Sequence, residues 1–188
     1  MSNDPKWGIV STVKAPLAET LGFVAHHLDL GAHRIFIYLD DADQTAFDIL
    51  KAHPKLRVIQ TDETYWKRTN GKRPTNHQPR QTAHETQAYH KANEVAWLAH
   101  IDVDEFLLPE NSMQAHLGAL SETCQTARIK PIESLASADD SKGTWFKACR
   151  PSVRARTRDS SDLYPVYGPY LNGGFLSHVM GKIFVRTG

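Results

Sequence analysis

Two rhythms of apolar and polar positions alternate along this chain. Residues 8–13, 34–39 and 56–60 are short runs, β-branched or aromatic in much of their length, and each reads as a strand. Between them the apolar positions fall three and four apart. Leu17, Leu21, Val24, Ala25 and Leu28 mark a helix over 17–30, and Gly31 is placed to end it. A second helix is expected over 45–52, with Pro54 soon after it. Strands that are apolar on both faces, separated by amphipathic helices, imply a mostly parallel sheet flanked by helices, an α/β fold.

The pattern continues with less regularity. Residues 64–79 are polar and basic and contain Gly71, Pro74 and Pro79, so they read as a long loop. A helix is expected over 80–93, leading into an apolar strand from Trp97. A further helix is expected over 112–121, with Ser112 as its N-cap, and a strand over 127–132. Beyond Ser134 only 145–146 and 182–186 read as strands. There is no repeat and no sign of a second domain, so residues 1–188 read as one domain. The chain stops at Gly188 just after a strand, as a piece of something longer would.

The stretch Trp97-Leu98-Ala99-His100-Ile101-Asp102-Val103-Asp104-Glu105-Phe106-Leu107-Leu108 carries the chemistry. Apolar residues stand on both sides of three acids. Ionised carboxylates resist burial without a partner, and a divalent cation is the simplest one. If the strand runs through the acids, Asp102 and Asp104 point to the same face. Paired hard oxygens suit Mg²⁺ or Mn²⁺ bound with substrate phosphates. The plainer reading of a bare D-x-D is a solvated acidic turn.

Composition changes the picture little. The chain has 188 residues, 40% hydrophobic and 23% charged, with a net charge of +1, so no global field points to nucleic acid or to a membrane surface. Cys124 and Cys149 read as free thiols rather than a disulfide framework. No apolar run is long enough for a transmembrane segment, which makes a cytoplasmic location, or one peripheral at the inner membrane face, the expectation. Two stretches are basic and free of acids. One holds Lys67, Arg68, Lys72, Arg73 and Arg80; the other holds Lys142, Lys147, Arg150, Arg154, Arg156 and Arg158. Each is either a solvated face or a rim for an anionic ligand.

Open parallel sheets bind ligands beyond the carboxyl ends of their strands. Lys14, Asp40 with Asp41, and Asp102 with Asp104 all follow expected strands. Together they can hold a nucleotide, a metal and a diphosphate. Asp40 and Asp41 are equally suited to an Asx turn or a helix cap.

At these residues the chain resembles a known family. From Val10 to Leu108 it is similar to the family 2 glycosyltransferases of GT-A fold, in the branch with the motif W-x-x-x-x-D-x-D-E-F. Trp97 followed by Asp102-Val103-Asp104-Glu105-Phe106 carries that motif. His26-His27 and Gly31 match the branch's H-H-x-x-x-G, and residues 35–40 its second strand. Ala15-Pro16 stand where the branch has Asn-Glu.

The resemblance implies inverting transfer of a sugar from a nucleotide diphosphate sugar donor to a saccharide or glycolipid acceptor, in the setting of surface polysaccharide synthesis. It implies Mn²⁺ or Mg²⁺ on Asp102 and Asp104, and donor contacts from Lys14, Asp40, Asp41, Arg80 and Asp102. Arg80 would clamp a phosphate oxygen. For the catalytic base, Glu133 is the best-placed acid, and His178 would serve the acceptor or the metal. The fold's usual third ligand and base would then lie beyond Gly188. Two other classes compete: a metal-dependent phosphoesterase or nucleotidyltransferase, and a non-catalytic sugar- or nucleotide-binding module. The departure at Ala15-Pro16 favours the last.

Overall fold

A computed structural model describes residues 4–41, 43–135, 143–149, 162–171 and 174–188. The chain divides into two compact units, Met1–Ala127 with Phe184–Gly188, and Arg128–Ile183. In order, the elements are β1 (Trp7–Val13), α1 (Leu17–Asp29), β2 (Arg34–Leu39), α2 (Gln44–Lys51), β3 (Leu56–Gln60), α3 (Glu63–Asn70), α4 (His77–Lys91), β4 (Trp97–His100), α5 (Met113–Gly118), β5 (Thr126–Ile129), β6 (Ile132–Ser134), β7 (Phe146–Ala148) and β8 (Lys182–Arg186).

Six strands form one sheet in the order β3-β2-β1-β4-β8-β5. β1 pairs in parallel with β2 and β4, and β2 with β3, while β8 runs antiparallel to β4. The expected α/β class, a mostly parallel sheet flanked by helices, is therefore the observed one. Strand residues alternate faces. Val10, Phe36, Tyr38 and Leu98 pack with Tyr65 and Trp66 of α3 and Ala88 of α4. Ile9, Ile35, Ile37 and Ala99, on the opposite face, are equally buried. Both faces are covered, which is why these strands read as apolar throughout.

Local signals set several element ends. Gly31 has φ +93°, and just past α1 it lets the Ala32 N–H reach the His27 carbonyl at 2.9 Å. Ser112 caps α5 by accepting from the Ala115 N–H at 3.1 Å. The strand expected over 127–132 is instead two strands, β5 and β6, with Pro131 between them; proline cannot donate to a ladder.

One expectation fails in the first unit. The segment taken for a long loop contains α3 and the first turn of α4. Asp62 caps α3 by accepting from Tyr65 N at 2.7 Å, and Gly71 (φ +77°) closes it. Burial of Tyr65 and Trp66 outweighs the polar composition around them. Pro79 lies in the first turn of α4, where its missing N–H is not needed.

Candidate functional site

Because β1, β2 and β4 are mutually parallel, their carboxyl ends lie on one edge of the sheet. Lys14, Asp40 and the acids after His100 follow these ends, so the topology brings the expected donor-side residues to a common edge. An open cleft of about 570 Å³ is lined there by Lys14, Ala15, Thr20, Asp41, Asp43 and Gln44, among others. Lys14 and Asp41 are both exposed in it. The cap of α2 is Asp43, which accepts from the Ala46 N–H at 2.9 Å, so neither Asp40 nor Asp41 serves that purpose.

Asp40 does not face the cleft as a free carboxylate. Its side chain is fully enclosed, and each oxygen meets a guanidinium. Arg80 donates Nε–H to Oδ2 at 2.9 Å, and Arg73 donates from Nη2 to Oδ1 at 2.9 Å. Arg80 Nη1 donates to the carbonyls of Pro74 and Thr75 at 3.0 and 2.8 Å. A buried charge needs partners of this kind. Arg80 is thus neither a solvated helix end nor an open phosphate clamp: three of its contacts hold Asp40 and the 74–75 backbone. Arg73 is more open, and its side chain is 43% exposed.

The strand carrying the acids is shorter than expected. β4 ends at His100, and the Ile101 N–H makes one more bond, to the Val10 carbonyl. Asp102, Val103, Asp104 and Glu105 then form a turn, closed by the Glu105 N–H to the Asp102 carbonyl at 3.0 Å. The shared-face argument from strand alternation therefore does not apply; a turn, not a pleat, brings Asp102 and Asp104 to the sheet edge. Asp102 is half-buried and Asp104 exposed.

Asp102 is oriented from α4. Gln81 donates Nε2–H to its Oδ1 at 2.7 Å. His100 Nε2 lies 3.7 Å from the same oxygen, and His100 Nδ1 lies 3.4 Å from Glu85 Oε1. The Glu105 carboxylate turns back to the Asp102 N–H at 3.3 Å. Gln81, Glu85 and His100 are the contributors that sequence reasoning missed; Arg73 was read only as part of a basic stretch, not as the partner of Asp40. The i, i+4 spacing of Gln81 and Glu85, beside that of Arg80 and His84, was the available signal, since such residues share a helix face.

His84 is fully buried beneath this edge. Its Nδ1 is 2.9 Å from Thr12 Oγ1, and its ring stacks on Tyr38 at 4.5 Å. Burial pushes its pKa down to about 4, so the imidazole is neutral.

Among the described residues, no group of three or more His, Cys, Asp or Glu side chains is gathered to hold a metal ion. No described helix is long and apolar enough to cross a membrane.

Glu133 and His178 belong to the second unit. Glu133 pairs with Lys147 at 2.6 Å and accepts the N–H groups of Leu176 and Ser177 at 3.0 Å. His178, exposed, is the next residue along. Glu133, on β6, thus ties down the segment just before His178. Burial acts to raise the Glu133 carboxyl, but Lys147 and the two N–H groups prevail and hold it below the usual carboxylate range. Of the second basic stretch, Lys142, Arg150, Arg154, Arg156 and Arg158 lie outside the described residues, as do Asn172 and Gly173 beside the His178 loop.

The sequence profile of glycosyltransferase family 92 matches residues 14–138. No curated protein matches the chain. Among solved structures, one described as the crystal structure of 4-diphosphocytidyl-2C-methyl-D-erythritol synthase is similar over 78% of this chain and 74% of that one. The identity is 15% and the TM-score 0.35, a likeness from which no function is carried over.

Proposed function

The chain belongs to glycosyltransferase family 92, and from that premise we propose that it moves a sugar from a nucleoside diphosphate donor to an acceptor hydroxyl, with a divalent cation on Asp102 and Asp104. The observation that carries this reading is that Lys14, Asp41 and the Asp102–Asp104 turn all follow the carboxyl ends of the parallel strands β1, β2 and β4. Family membership supports glycosyl transfer. The finer resemblance, to the family 2 branch with the D-x-D-E-F motif, supports an inverting transfer to a saccharide or glycolipid acceptor.

The donor set suits Mn²⁺ or Mg²⁺. Asp102 and Asp104 offer hard oxygens on an accessible turn, and Gln81 holds one of those oxygens in a single direction. With only two carboxylates, such a cation takes its remaining ligands from water and donor phosphate oxygens. When bound, it supplies charge neutralisation for the departing diphosphate. The chain's own residues do the rest. Lys14 and the exposed part of Arg73 present positive charge toward the donor. Asp41 accepts hydrogen bonds from the ribose or base. Arg80 and Asp40, engaged with each other, position the edge instead of touching the donor.

An inverting transfer needs a base for the acceptor hydroxyl, with a pKa near the working pH. Glu133, held low by Lys147, suits a structural anchor better than a base. His178, exposed and next to Ser177, whose N–H Glu133 accepts, keeps the role of serving the acceptor or the metal, and a His178→Asn exchange that leaves kcat and KM unchanged would remove it.

The decisive experiment is a thermal-shift panel of nucleoside diphosphates and nucleotide sugars with and without Mn²⁺. The transferase reading expects stabilisation that needs both the metal and the diphosphate. Hydrolysis of a simple phosphodiester would favour the phosphoesterase class instead. No response to any nucleotide would favour a binding module of another kind.

A further inference from the structure

We propose that His26 and His27, in the last turn of α1, are positioning residues of the transferase centre: they seize both backbone polar groups of Leu107 and so hold the acidic turn at the sheet edge. This rests on the transferase reading above, which gave these histidines no role.

The geometry is reciprocal. His26 Nε2 lies 2.7 Å from the Leu107 carbonyl, and the Leu107 N–H lies 3.3 Å from His27 Nε2. A carbonyl only accepts, so His26 Nε2 must carry a proton. His27 Nδ1 faces the Phe23 carbonyl at 2.8 Å, so that nitrogen carries the proton of His27. His27 Nε2 is then left with a lone pair, which is what the Leu107 N–H requires. Burial lowers the pKa of His27 to about 4 and keeps it in this neutral form. Phe106 adds an apolar contact, stacked on His27 with ring planes 8° apart and edge-on to His26 at 5.1 Å.

The consequence for the acids follows from where the chain is tied. On one side the Ile101 N–H bonds Val10 on β1. On the other, Leu107 is tied by α1 at both of its backbone groups. Asp102 and Asp104 lie between these ties, on a short segment with an internal bond from Glu105 N to Asp102 O. A segment fixed at both ends has few conformations to lose when a cation binds. Groups hydrogen-bonded directly to metal ligands are worth about 10–100-fold in metal affinity, and a tie three residues past Asp104 is expected at the low end of that range.

The test uses His26→Leu and His27→Leu, which delete the polar contacts, and His26→Gln and His27→Gln, whose amides offer a donor and an acceptor near the Nε2 position. Hydrogen exchange over residues 101–108 is read beside that of β1 and β2. Binding of UDP with Mn²⁺ is titrated in parallel. The leucine variants are expected to exchange at least about tenfold faster in this segment alone and to need about tenfold more Mn²⁺. The glutamine variants should recover most of both, which a loss of packing alone would not. Should His27→Leu fail to fold, half-buried His26 with its two variants carries the test.

Unchanged exchange at 101–108 would overturn the clamp. Faster exchange with unchanged Mn²⁺-dependent UDP binding would overturn its positioning role. A wild-type chain that binds no nucleoside diphosphate with Mn²⁺ would instead bring down the transferase reading and the catalytic half of this proposal, while exchange still decides whether the clamp exists.

Discussion

Gln81 donates to Asp102 Oδ1 at 2.7 Å, and its neighbour on α4, Arg80, donates to Asp40 Oδ2 at 2.9 Å. Two consecutive residues near the start of one helix thus hold acids that follow two different strands. α4 acts as the ruler of the sheet edge. It sets the direction of one half-buried metal-side carboxylate and neutralises one enclosed carboxylate. The two contacts have different energetics, and they separate experimentally.

Replacing Gln81 by leucine removes an orienting contact to a half-buried acid while keeping an apolar stem. We expect the Mn²⁺ concentration needed for nucleoside diphosphate binding to rise about tenfold. Stability should change by less than about 1 kcal/mol. Mn²⁺ titration and thermal melting of the same sample measure both.

Asp40 behaves differently. Asp40→Ala leaves Arg80 buried opposite Arg73 with no anion between them. Breaking a buried pair in this way costs about 3–5 kcal/mol. Urea unfolding should show that loss, and Asp40→Leu combined with Arg80→Met should recover much of it. A single variant of wild-type stability would mean that water or another group takes the place of the carboxylate.

Asp102→Asn and Asp104→Asn each remove one negative charge from the turn without changing its shape. Both should remain folded. Each is expected to lower sugar transfer at least about a hundredfold, the scale of losing an electrostatic contact to a developing charge. Metal-dependent binding of UDP, measured by calorimetry, should fall with it. Full activity in either variant would exclude that residue from the centre.

The buried histidines predict an acid-side loss of stability. His27 and His84 both have pKa values lowered by burial from 6.5 to about 4. The unfolded chain therefore takes up protons at a higher pH than the folded one. Their contribution is fully present above pH 6.5 and is lost as the pH falls from there toward 4. Each contributes up to about 3 kcal/mol at order of magnitude. Urea midpoints taken between pH 7 and pH 4 should fall steadily, and His84→Gln should flatten the slope. A slope unchanged by that exchange would show that His84 is not the neutral buried group described here.

The sequence by itself determined the ladder of elements from β1 to β3, the end of α1 at Gly31, the Ser112 cap and the placing of acids after strands. All of these are governed by residues within a few positions of one another, through the two hydrophobic periods and through backbone groups that need caps. A parallel sheet was readable too, because strands covered on both faces cannot alternate. Tertiary structure alone decided the rest. Tyr65 and Trp66 made a helix of a polar segment because a core was waiting for them. Asp40 found Arg73 and Arg80, and Leu107 found His26 and His27, across dozens of residues. Such partnerships depend on the register of β1 against β2 and β4 and on where α4 crosses the sheet. No window of local sequence contains that geometry, so a motif shows which residue types are present but not which of them answer one another.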